Sequence, residues 1–147
     1  MSGKPERALT LEVLFPDLVD WGYVVTSEID FEYNCVAWAA GDKTQQWWPD
    51  EHGYWPEGVA REMTVEAFMG AYATLGYASC HDDDHEPGYE KIAIYADDAG
   101  APQHAARQVN AEHWTSKCGD LWDISHPLRA LEGARYGRAV RFMKRPV

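Results

Sequence analysis

The 147-residue chain predicts a single α+β domain spanning residues 1–147, with helices gathered in its first half and strands in its second. Three observations predict this. Apolar residues recur at helical spacing up to residue 75, the period changes to that of strands after residue 90, and no repeat, low-complexity tract or linker divides the chain. A length of this order suits one compact core without disulfide staples.

The elements follow in order. In "LEVLFPDLVDWGY" (11–23), Leu11, Leu14, Phe15, Leu18 and Val19 share one helical face. Pro16 interrupts the run, so one or two short helical turns are expected, ending near Gly22. In "FEYNCVAWAAGD" (31–42), Ala37, Ala39 and Ala40 favour helix, Asn34 is a good N-cap, and Gly41 can end the helix. "QQWWPDEHGYWPEG" (45–58) reads as a loop that packs its own rings. "TVEAFMGAYATLGY" (64–77) gives the clearest helix, with Thr64 as cap, Val65, Phe68, Met69, Tyr72 and Leu75 on one face, and Gly76 as the stop. "CHDDDHEPG" (80–88) is a polar loop.

From there the period is that of strands. "KIAIYAD" (91–97) reads as a short strand buried on both faces. "QHAARQV" (103–109) and "HWTSKC" (113–118) form two arms of a hairpin around 110–112. "SHPLRALEG" is a short helix with Pro127 in its first turn, and "YGRAVRFMKR" is a last strand.

Charge narrows the function classes. Lys and Arg number 13 against 24 Asp and Glu, a net −11, so phosphate backbones are repelled and nucleic acid is not an expected partner. Arg135, Arg138, Arg141, Lys144 and Arg145 read as a solvated strand face and tail. The three cysteines, Cys35, Cys80 and Cys118, are too few and too unevenly spaced for a disulfide framework or a zinc site. "MSGKPERALT" lacks the apolar run of a signal peptide and no stretch is apolar enough to span a membrane, so a cytoplasmic chain is expected. No phosphate-binding glycine motif occurs, and no cofactor is implied.

Cys35 is the candidate nucleophile. With Asn34 as cap it falls in the first turn of a helix, where free backbone N–H groups and the helix dipole favour a thiolate. A base must come from elsewhere. His104, expected at a strand mouth and partly exposed, is the choice, with Asp120 as the group that orients its imidazole. Asn34, Trp47, Trp48 and Trp55 would line the substrate groove. The plainer reading makes Cys35 core filler, His104 a structural histidine, and the tryptophans plugs that seat their loop on the core.

The chain is similar to a group of small bacterial proteins without an assigned activity. The shared segments are "YNCxAWAAG" (33–41), "WWP…YWP" (47–56), "GYxxC…EPGxEKxAxY" (76–95), "HAARQ" (104–108), "WTSKxG" (114–119), "DIxH" (123–126) and "YGxxxxxMKRP" (136–146). More distantly, the order of Cys-helix, strand, His-strand and polar strand resembles the papain-like fold in its compact NlpC and CHAP form. That resemblance implies N-terminal helices packed on an antiparallel strand meander. It also implies a cysteine amidase, peptidase or acyl transferase acting on a peptide or amide, with Cys35 as nucleophile and His104 as base. The chain departs from those families in having Asn-Cys-Val and Gln-His-Ala around the two residues.

The alternative expectation is a non-enzymatic acidic interaction protein on the same scaffold, an immunity-type or regulatory binder of a protein partner. Other constellations have simpler readings. His81, Asp82, Asp83, Asp84, His85 and Glu86 lack the spacing of a calcium loop and read as a solvated acidic loop. Ser116 and Lys117 are adjacent on an expected strand and point to opposite faces, which argues against a Ser–Lys dyad. Asp123 and His126 read as a turn or cap at a helix start.

Overall fold

A computed structural model describes residues 9–119 and 121–147. Its frame is one seven-stranded sheet, antiparallel throughout, in the order β1-β6-β5-β4-β3-β7-β2. The strands are β1 (Val24–Val25), β2 (Ala78–Cys80), β3 (Tyr89–Ala96), β4 (Pro102–Gln108), β5 (Trp114–Lys117), β6 (Asp123–His126) and β7 (Arg138–Pro146).

Among the described residues, four short helices accompany the sheet: α1 (Leu9–Leu14), α2 (Asp17–Trp21), α3 (Cys35–Ala40) and α4 (Val65–Ala73). A 3-10 turn covers Leu128–Leu131. The local signals act as expected. Asn34 Oδ1 accepts the Ala37 N–H and Gly41 closes α3 at φ 85°. Thr64 accepts from the Ala67 N–H to start α4, and Gly22 ends α2.

The papain-like expectation is corrected. The helices do not form an N-terminal layer on one side of a meander; they are divided between two faces of a dominant sheet. The reason lies in β3 and β4. Ile92, Ile94 and Ala105 are fully buried under α3 and α4, while Ala93, Tyr95 and Ala106 are fully buried under α1, α2 and the 3-10 turn. Central strands apolar on both sides need cover on both sides, and complete burial of an isoleucine contributes about 1.5–3 kcal/mol.

Three strands were not foreseen. β1 and β2 are only two and three residues long, and both lie at sheet edges. β6 occupies the stretch read as a helix start. Chain order is also broken, because β7 inserts between β3 and β2. Gly137 permits this entry: its φ is 73°, and a Cβ there would meet the Ala96 carbonyl oxygen at 1.9 Å. Among the described residues, no helix is long and apolar enough to cross a membrane.

Candidate functional site

Strand alternation decides the candidate site. His104 pairs with Tyr95 and Ala105 with Ile94, so their side chains leave β4 on opposite faces. Cys35 belongs to the cluster that holds Ala105, Ile92 and Ile94, and its sulfur takes a backbone hydrogen bond from Ala105. His104 faces the other way. Its ring stacks on Tyr136 with centroids 4.0 Å apart and meets the edge of Tyr95 at 5.1 Å. The sheet therefore stands between thiol and imidazole, and the structure does not bring them together.

Neither group has the exposure a nucleophile–base pair needs. Cys35 is 6% exposed, and burial pushes its thiol up to about 11, beyond what the hydrogen bonds and Lys117 offset. His104, expected at a strand mouth, is 0% exposed and held far below the usual imidazole range by burial and by His126. Asp120, the expected orienter, lies outside the described residues.

His104 has a different partnership, with residues the sequence reading gave other roles. Its Nε2 lies 2.9 Å from Ser116 Oγ, which lies 2.7 Å from His126 Nε2. His126 Nδ1 is 2.7 Å from the Pro127 carbonyl, which only accepts, so Nδ1 carries the proton. Burial holds the His126 imidazole down at about 4, hence neutral, and its Nε2 must accept from Ser116. Ser116 then accepts from His104 Nε2–H, leaving His104 Nδ1 bare and without a partner among the described residues. The result is a buried, tautomer-fixed relay across β4, β5 and β6.

On the other face, Tyr33 donates to Asp123 Oδ2 at 2.7 Å and Thr26 donates to Oδ1 at 2.5 Å. Burial first, then the bond to Asp123, raises the Tyr33 phenol to about 12. Lys117 is buried with its Nζ 2.6 Å from the Asp30 carbonyl and 4.9 Å from the Tyr33 ring. Ser116 and Lys117 thus point to opposite faces, as alternation requires.

The predicted groove residues have mainly structural contacts. Asn34 caps α3 and binds Trp47 through both its backbone N–H, at 3.1 Å, and its carbonyl, at 2.8 Å. Trp47 and Trp55 are buried; their indole N–H groups donate to Asp42 and the Ala60 carbonyl. Trp48 and Trp55 both pack on Phe68 of α4. Trp48 and Asn34 of this set line an open depression, shared with Tyr54 and His52. Gly53 folds the loop tightly, since a Cβ there would come within 2.8 Å of Trp48.

Among the described residues, no three His, Cys, Asp or Glu side chains converge to hold a metal ion. The acidic loop has another use: Asp82 and Glu86 each stand 3.1 Å from the buried Lys91 amine. Burial opposes that charge, and the two carboxylates more than offset it. The missed residues left one sequence signal. "DISH" alternates, placing Asp123 and Ser125 on one face and Ile124 and His126 on the other.

The chain matches the family described as a domain of unknown function (DUF7689) over residues 24–144, and it belongs to that family. No curated protein and no solved structure matches it.

Proposed function

We propose that this chain is a non-enzymatic, cytoplasmic interaction protein, a regulatory or immunity-type binder that docks a basic protein partner through its α1–α2–β1 surface. The observation that carries the reading is the pairing of exposed apolar side chains with one sign of charge. Val13 is 81% exposed and Trp21 is 56% exposed, with Leu9, Val19 and Val24 also open to solvent. Leu9 and Val13 are one helical turn apart and form a stripe on α1. Between Arg7 and Lys43 the sequence has no Lys or Arg, while Glu12, Asp17, Asp20, Glu28, Asp30, Glu32 and Asp42 carry acid.

Apolar anchors framed by carboxylates select a partner with its own apolar patch framed by Lys or Arg, and they disfavour a second copy of the same face. The aromatic loop is the weaker docking candidate, because Trp47 and Trp55 are spent on the core.

The test is photo-cross-linking from position 21 in cells that express the chain. The reading expects a basic protein that cross-links to wild type and is lost with Asp17→Arg/Asp20→Arg. A cross-linked partner indifferent to charge reversal, or one that is acidic, contradicts it.

Amide hydrolysis through Cys35 and His104 is the second reading. The Asn34-capped start of α3 favours it; the placement of the two side chains across the sheet opposes it.

A further inference from the structure

A cleft of about 440 Å³ opens on the α3 face, where α3 ends and the sheet continues to its β1 edge. Segments distant in sequence build it: Trp38 from α3, Lys43 beyond it, Arg107 from the end of β4 and Val109 just past it, Thr115 from β5 and Asp123 from β6. A volume of this size suits a small organic molecule.

Its charge runs against that of the whole chain. Arg107 sits with Cζ 5.0 Å from the Trp38 ring centroid, and Lys43 Nζ is 5.7 Å from the same ring. Neither cation has a carboxylate at ion-pair distance among the described residues, in a protein of net charge −11. The guanidinium also donates no hydrogen bond to a described residue, although Arg carries a fork of donors suited to a carboxylate. Both oxygens of Asp123, the lining carboxylate, already accept from Thr26 and Tyr33. Asp123 is also the cross-strand partner of the buried Lys117, so Arg107 and Lys43 leave the cleft net positive.

The surface against which the two cations lie is apolar and flat. Trp38 is fixed by its Nε1–H, which donates to Thr115 Oγ1 at 3.2 Å, and Val109 is 55% exposed beside it.

We propose that this cleft binds a small organic carboxylate with a flat apolar body. The carboxylate pairs with Arg107 and Lys43, and the body lies along Trp38 and Val109. The net positive charge selects an anion, and inorganic phosphate has no apolar body to lie along Trp38 and Val109. The site shares no residue with the α1–α2–β1 surface, so it stands or falls independently of protein docking.

The test uses sodium benzoate as probe, titrated into ¹⁵N-labelled protein while the Trp38 indole N–H and the Thr115 amide are followed. A saturable shift at these groups is expected, roughly tenfold weaker in Arg107→Gln and in Lys43→Gln, and weaker for acetate, which lacks the apolar body. Unchanged resonances on the opposite face, such as Ala130, confirm that each variant is folded. Should Arg107→Gln not fold, Lys43→Gln, on the exposed loop, carries the test. The proposal is overturned if benzoate gives no saturable shift, if the folded variants bind as tightly as wild type, or if inorganic phosphate saturates the same groups more tightly than benzoate.

Discussion

On one face of the sheet, His104, Ser116 and His126 are shut under α1, α2 and the 3-10 turn, with 0% exposure each. On the other, Tyr33, Asp123 and Lys117 are buried as well, but Asp123 also lines an open cleft together with Lys43 and Arg107. The first is polar chemistry closed to solvent and committed to holding three strands in register. The second borders a cleft whose accessible charges are Lys43 and Arg107. Residues one apart in sequence serve these two ends: His104 and Ala105, Ser116 and Lys117, Asp123 and Ile124. What separates a structural histidine from a catalytic one here is a single step of strand alternation.

The difference can be sharpened by acid. The folded His126 sits at about 4, against an unfolded value near 6.5. Above about pH 6.5 both states are neutral and stability is full. As pH falls towards 4, the unfolded chain takes a proton that the folded chain refuses, so stability drops by roughly 3 kcal/mol from His126 alone. His104 adds to the same trend. Urea unfolding at a series of pH values should show this slope, and a flat profile between pH 6.5 and 4.5 would mean the relay is solvated.

Ser116→Ala attacks the same face directly. It leaves His104 Nε2 and His126 Nε2 without partners, at a cost of about 2–3 kcal/mol in urea unfolding at neutral pH. A loss below about 1 kcal/mol would show that the two imidazoles find other partners.

The α3 face should respond less. Asn34→Ala removes the helix cap and both bonds to Trp47, an expected loss of about 2 kcal/mol. Tyr33→Phe removes one of the two hydroxyl donors to Asp123 and should cost about 1 kcal/mol, because Thr26 still satisfies the carboxylate. If Tyr33→Phe proved costlier than Ser116→Ala, the ranking of the two faces would be reversed.

The caps, the stops and the central hairpin were legible because their signals are local. Asn34, Thr64, Gly22 and Gly41 act within one turn of the backbone, and Gln108 pairs with Trp114 where the hairpin was expected. The sheet order was not legible. β1 and β2 are too short to show a period, and β7 reaches its place between β3 and β2 only through long-range pairing. At "DISHPL" Pro127 suggests an opening helical turn, but the alternation of Asp123, Ile124, Ser125 and His126 is that of a strand, and the turn begins only after Pro127.

The candidate pair failed to meet for a related reason. The order of Cys-helix and His-strand can be read along a chain, but the face each residue takes depends on register, which sequence order alone leaves open. Cys35 does open a helix, yet burial outweighs the favourable end of that six-residue helix and keeps the thiol protonated.

The most direct measurement is the rate of iodoacetamide labelling at Cys35, Cys80 and Cys118 between pH 6 and 8.5, by mass spectrometry, in wild type and His104→Ala. Cys80, the least buried thiol, should label in the folded chain, while Cys35 and Cys118 should label only as fast as the protein opens. Rapid Cys35 labelling near pH 6, lost in a folded His104→Ala variant, would contradict the separation of the two groups across the sheet.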